Sequence, residues 1–121
     1  MIIEKKNLQQ KFSLINDYYK PRIAGEINEN YVKLVKLKGE FVWHHHENED
    51  ELFLVVKGNL KMKLLDKDIE ISEGELIIIP KGVEHKPVAD EEVHLLLIEP
   101  KTTLNTGNIE NEKTVEKPAQ I

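Results

Sequence analysis

The sequence predicts an all-β domain, an antiparallel sandwich or barrel preceded by one short helix. Two observations carry this. Short apolar stretches recur between the breakers Lys38-Gly39, Lys57-Gly58-Asn59, Asp66-Lys67-Asp68, Glu73-Gly74 and Pro80-Lys81-Gly82, a spacing too tight for βαβ units. Within one of them, residues 59–65, Leu60, Met62 and Leu64 alternate with Lys61 and Lys63, the period of a strand with one wet face.

The elements follow in order. Residues 4–15 read as an amphipathic helix, because Leu8, Phe12 and Ile15 fall on one face, and Pro21 stops its continuation. Strands are expected at 22–27, 31–38, 41–46, 51–57, 59–65, 68–72, 75–79 and 93–99. Segment 51–57 is apolar on both faces: Phe53 and Val55 share a face with Glu51, while Leu52, Leu54 and Val56 load the other. Leu76 to Ile79 is also unbroken. Such strands need cover on both sides. In so small a chain one cover is the interior and the other a second subunit. The sequence therefore predicts a homodimer through an outer face carrying Phe41, Trp43, Leu52, Leu54 and Val56. The organisation expected is an N-terminal helix and lead-in over 1–21, a β-barrel over 22–100, and a polar, aperiodic C-terminal arm over 101–121 that orders only if docked.

Composition narrows the function. A chain of 121 residues fits one domain with one core. Its net charge of −5 and the absence of a Lys/Arg cluster argue against nucleic acid or an anionic membrane as partner. With no cysteine, disulfides and thiolate zinc sites are excluded. The N-terminus lacks a signal-peptide apolar stretch and no run is long enough to span a bilayer, so a cytoplasmic location is expected.

Two runs carry the chemistry. In the first, Gly39 leads to His44, His45 and His46, then Glu51, then Gly58. On a strand, His44 and His46 project to one face and His45 to the other, and Phe41 and Trp43 are expected opposite His44 and His46. A strand returning from Glu51 can bring its carboxylate to the same face. Two imidazoles and a carboxylate are the donor set of many divalent-metal sites. In the second run, Gly74 leads through an apolar strand into Pro80-Lys81-Gly82 and on to His85. Pro80 sets the entry to the turn and Gly82 permits a positive φ, aiming His85 back over the sheet.

Together the two runs resemble the paired motifs of the cupin superfamily. Gly39, His44, His46, Glu51 and Gly58 match the first, with four residues rather than five between Gly39 and His44. Gly74, Pro80, Gly82 and His85 match the second, with Ala89 where the family places an asparagine. The resemblance implies a jelly-roll barrel holding one divalent transition metal on His44, His46, Glu51 and His85. Three imidazoles and one carboxylate leave about two open positions on an octahedral ion. Iron, manganese, nickel, cobalt, copper and zinc all accept this set.

Other residues read differently. His45 is expected at a surface or interface, His94 as a packed histidine, Glu84 as a surface carboxylate, and Phe53 and Met62 as interior wall. No clear general base stands out, and catalytic residues stay unassigned. Arg22 is the only arginine and precedes the motif strands, so a phosphate would have to lean on Lys81 or Lys86. The activity implied is that of a metal-dependent enzyme on a small polar metabolite, either sugar or sugar-phosphate isomerase-like or dioxygenase-like. The alternative is a non-catalytic small-ligand-binding or sensor cupin.

Overall fold

A computed structural model describes residues 2–121. One short helix, α1 (Leu8–Phe12), precedes seven strands: β1 (Arg22–Ile27), β2 (Asn30–Glu40), β3 (Glu51–Lys57), β4 (Leu60–Leu64), β5 (Asp68–Ile71), β6 (Leu76–Ile79) and β7 (His85–Pro100). All strand pairs are antiparallel, in a cupin-type jelly roll. The expected helix over 4–15 shrinks to a single turn and a half. Asn7 caps it by accepting from the Gln10 N–H. Ile15 lies beyond its end but still packs with Phe12 under the sheet.

The order β1-β2-β7-β3-β6 forms the larger sheet, and β4 pairs with β5 and with the start of β7. Strand β7 joins the two layers. Its first residues pair with β4 (Leu64 opposite His85), and its later ones with β2 and β3 (Leu95 opposite Val35 and Val55). The sequence reading began this strand at 93. It begins instead at His85, because residues His85 to Val88 pair with β4 and Val88 and Ala89 also pair with β2.

Between the layers lies the main core. Val35, Leu37, Phe53, Val55, Leu60, Met62, Ile79, Val93, Leu95 and Leu97 are buried there, all at alternate positions of their strands. A second cluster sits on the outside, where Phe12 and Ile15 press on Leu34 and Ala24 with Val56 and Leu96 beside them. The amphipathic N-terminal segment thus covers part of the outer sheet face. The rest of that face is apolar and open: Leu52 and Leu54 are half-buried, and Leu76 and Ile78 keep 57% and 55% of their surface exposed.

Residues 41–46 correct one expectation. They form no continuous strand: the Phe41 N–H donates to the Pro87 carbonyl (3.0 Å), the register then slips by one residue, and the next pairing is the bridge of His44 with His85. Without the two-residue period, Phe41 does not face away from His44. It is buried in the core, stacked on Tyr19 at 4.7 Å and edge-on to His44 at 5.4 Å. Phe41 therefore belongs to the interior and not to an outer interface.

Residues 101–121 run as turns over the barrel. The Ile23 N–H donates to the Ala119 carbonyl (2.8 Å), the Ile121 N–H donates to the Ile23 carbonyl (2.9 Å), and Ile121 packs on the outer cluster. No helix among the described residues is long and apolar enough to cross a membrane.

Candidate metal centre

His44 and His85 converge because they face each other across an antiparallel pair and exchange both backbone hydrogen bonds (3.0 and 2.9 Å). Directly opposed residues put their side chains on one face, and the two rings stand 4.3 Å apart. Each ring donates from Nδ1 to a nearby carbonyl, His44 to Val42 at 2.9 Å and His85 to Val83 at 2.8 Å. A carbonyl can only accept, so Nδ1 carries the proton and Nε2 presents its lone pair. His46 follows two residues after His44, its ring 5.1 Å away at a right angle. Glu51 enters from the first residue of β3, opposite Ile79 of β6.

The Pro80-Lys81-Gly82 turn is clipped to this loop. The Gly82 N–H donates to the His46 carbonyl (2.8 Å), and the Lys81 N–H donates to Asp50 (2.8 Å). Gly82 takes φ +83°, the left-handed region the motif requires. From the other side comes the C-terminal segment. The Asn108 N–H donates to the His45 carbonyl, and the His45 N–H donates to the Asn108 side chain, both at 3.0 Å. Gly107 sits so close that a Cβ there would lie 2.2 Å from the His45 carbonyl oxygen and 3.0 Å from the His44 ring.

The result is a buried cluster: His44, His46, Glu51 and His85 each offer a ligand atom, all within 4.8 Å of one another. Glu51 Oε1 lies 2.8 Å from His46 Nε2 and 3.3 Å from His85 Nε2, yet none of these three atoms makes a hydrogen bond of acceptable geometry. Buried polar atoms left without partners are rare. Here they point at one another, and a cation between them satisfies all at once. The donor set of three imidazoles and one carboxylate fits a divalent transition metal.

Electrostatics prepare the same donors. Burial and the nearby His85 lower the His44 pKa to about 4, so the ring is neutral and able to ligate at pH 7. Burial alone would push Glu51 up. The close His46 and His85 imidazoles outweigh it and hold the carboxyl below the usual carboxylate range.

Other singled-out residues fall outside the cluster. His45 is bound by Glu47 and Glu84, with its Nδ1 2.7 Å from Glu84, and these contacts raise its pKa. Glu84 is thus tied to the metal loop through His45. His94 stacks on Phe12 at 4.6 Å and meets Glu92 at 2.8 Å. Arg22 is engaged by Asp17 (3.0 Å) and Lys86 by Glu40 (2.5 Å).

An inner cavity of about 40 Å³ adjoins the cluster, walled by Tyr19, Phe41, Phe53 and Leu97 with His44, Glu51 and Glu99. A larger cavity of about 180 Å³ lies at the mouth on the His46 side, between Glu47, Glu49, Thr102 and Asn108. The sequence reading passed over Glu99 and its partner Lys33, whose Nζ approaches Glu99 Oε2 at 3.3 Å with both side chains 2% exposed. Burial, first, and then the charge of Glu51 raise the Glu99 pKa, and Lys33 opposes them. A signal was present. Lys33 shares its face with Val35 and Leu37, and Glu99 shares its face with Leu95 and Leu97, so each is a charge on an otherwise apolar strand face.

Comparison with known proteins agrees with this architecture. The cupin domain family matches residues 31–99. A cupin-2 domain protein of Shewanella frigidimarina superposes with a TM-score of 0.78 and 48% identity, covering 79% of this chain and 94% of that one. A Neisseria meningitidis protein does so with a TM-score of 0.75 and 33% identity over 81% of this chain and all of that one. Among curated proteins, Bacillus subtilis YdbB, itself uncharacterised, is 39% identical over 62 residues, half of this chain and 55% of its own length. The 3-hydroxyanthranilate 3,4-dioxygenase of Nematostella vectensis is 40% identical over 60 residues, 46% of this chain and 22% of the enzyme. The chain thus spans about half, or less, of the curated relatives it matches. With the paired glycine and histidine motifs, the jelly roll and a family match over more than half its length, the chain belongs to the cupin family.

Proposed function

We propose that the chain binds one divalent transition metal through His44, His46, Glu51 and His85 and acts as a metal-dependent enzyme on a small metabolite, of the dioxygenase type. The observation that carries this is the set of orphaned lone pairs on His46, Glu51 and His85, buried together beside His44. When bound, such an ion supplies Lewis-acid polarisation and open positions for small ligands. The chain's own residues do the rest. Val42 and Val83 hold the His44 and His85 rings in one tautomer. Phe41, Phe53 and Leu97 give the inner cavity an apolar wall. Glu99, held by Lys33, is the remaining carboxyl on the cavity wall.

Similarity to the dioxygenases favours oxygen chemistry over isomerisation, since the resemblance to a putative sugar phosphate isomerase is at 20% identity and reflects fold alone. The test is metal analysis of protein purified without a histidine tag, followed by oxygen uptake with o-aminophenolic and enediol compounds after loading with each candidate ion. One ion per chain with substrate-dependent uptake supports the reading. A chain that takes up no stoichiometric metal contradicts it.

The small inner cavity favours a second reading, a non-catalytic binding module. It predicts ligand-induced stabilisation of the metal-loaded protein without turnover. The open apolar face around Leu52, Leu54, Leu76 and Ile78 supports a homodimer, because a patch of this kind in water favours association. In that dimer β6, at the end of the sheet order, lies within the interface.

A further inference from the structure

Neither cavity beside the metal cluster has a lysine or arginine in its wall. Lys81, in the turn beside the cluster, is exposed and lines neither cavity, and four other basic groups are engaged elsewhere. Lys33 is turned to Glu99 inside the barrel. Lys113 donates to the Glu40 carbonyl at 3.2 Å and lies 5.8 Å from the centroids of the Tyr19 and Phe41 rings. Lys86 is paired with Glu40 and rests on Trp43, and Arg22 is held by Asp17 and the Lys20 carbonyl. The polar groups that do face the cavities are mainly acceptors. Glu51 and Glu99 face the inner one, and Glu47 and Glu49 face the mouth. Two others are already committed: the Tyr19 hydroxyl donates to the Gly39 carbonyl, and the Asn105 amide bonds the Lys113 carbonyl and the Val115 N–H.

We propose that the site selects a small uncharged ligand that offers hydroxyl or amino hydrogens on an apolar body, and rejects ligands carrying a carboxylate or phosphate away from the metal-binding atoms. The inference rests on the metal-centre reading above. A donor group on the ligand finds Glu99 waiting on an apolar wall of Phe41, Phe53 and Leu97. An additional anionic group finds no counter-charge, and a buried unpaired charge is strongly disfavoured. At the mouth, Glu47 and Glu49 repel the same anions before entry. This sets the chain apart from the enzymes it resembles in sequence, whose substrate, as their name states, is a carboxylate.

The test uses two matched pairs, so that the shape of the ligand body does not decide the outcome. In the first, 3-hydroxyanthranilate is compared with 2-aminophenol, the same ring without the carboxylate. In the second, dihydroxyacetone phosphate is compared with hydroxyacetone. Binding of each to the metal-loaded full chain is measured by calorimetry, with metal content determined on the same samples so that loss of the ion is read separately from loss of the charge preference. The uncharged member of each pair should bind at least about tenfold more tightly. In the Glu47→Gln/Glu49→Gln variant, whose side chains lie at the mouth, the gap should narrow severalfold and become less dependent on salt. Glu99→Gln should weaken 2-aminophenol and narrow the gap further. Should that variant fold poorly, Lys33→Met/Glu99→Gln removes the buried charges together. Equal or tighter binding of either anion by the wild-type chain overturns the proposal, and so does failure of both uncharged probes to bind.

Discussion

Glu51 Oε1 lies 2.8 Å from His46 Nε2 inside the barrel, in a contact that satisfies neither atom. His46 comes from the irregular loop after β2 and Glu51 from the first residue of β3. Their meeting depends on the chain turning back within the residues Glu47 to Asp50. An ion between the two, shared with His44 and His85, is the simplest way to complete both.

Removing one donor should therefore abolish metal uptake. His46→Ala is expected to leave less than about a tenth of the wild-type metal content, whereas His45→Ala, whose ring turns to Glu47 and Glu84, should leave it unchanged. Elemental analysis of untagged protein checks both. Equal losses in the two variants would point to a nonspecific histidine cluster.

Stability should fall with acid in a defined window. His44 has an ordinary pKa of 6.5 and a folded value of about 4. Between these values the unfolded chain binds more protons than the folded one. The contribution is complete above about pH 6.5 and is lost as pH drops toward about 4. For His44 alone the loss is at most about 3 kcal/mol. A bound ion enlarges it, because a protonated ring cannot ligate. Melting temperatures recorded with and without metal should converge toward the acid end. A metal-dependent increment that stays constant from about pH 7.5 to about pH 5 would exclude a histidine-centred site.

The Lys33–Glu99 pair should show the asymmetry of buried charges. Lys33→Met strands Glu99 without its partner and is expected to cost about 3–5 kcal/mol. Lys33→Met/Glu99→Gln should recover most of that, since neither charge is then left buried alone. Urea denaturation of the wild type, Lys33→Met, Glu99→Gln and the double variant measures the coupling. Costs that simply add would show that the 3.3 Å contact contributes nothing.

Gly107→Ala should loosen the cover over the site. Its φ of +56° disfavours a side chain, and a Cβ would overlap the His45 carbonyl oxygen. A loss of about 1–3 kcal/mol is expected, with faster metal release to a chelator, because the displaced segment is the one bonded to His45. Unchanged release would mean that residues 101–109 do not control access.

Ile78→Lys, at an exposed position on the outer sheet face, should convert a dimer to a monomer without disturbing the core, where Ile79 points inward. Sedimentation equilibrium at micromolar concentration reads this directly. A monomeric wild-type chain would remove the case for the interface.

The fold class and the four residues of the buried histidine and carboxylate cluster, which could hold a metal, were legible in the chain itself. Both are local patterns: breakers between short apolar stretches mark strands, and the spacing of His44, His46, Glu51 and His85 belongs to two contiguous motifs. Strand parity located the interior faces of β3 and β4, where regular pairing preserves a two-residue period. It misplaced Phe41 because the pairing with β7 slips by one residue between Phe41–Pro87 and His44–His85, and a one-residue slip reverses the face on which side chains lie. Only the tertiary structure decided which distant residues meet. Lys33 and Glu99 are separated by 66 positions and joined by pairing of β2 with β7. Residues 101–121, polar and without period, find their place through backbone hydrogen bonds to His45 and Ile23. Such bonds use atoms common to every residue, so no pattern of side chains along the chain announces them.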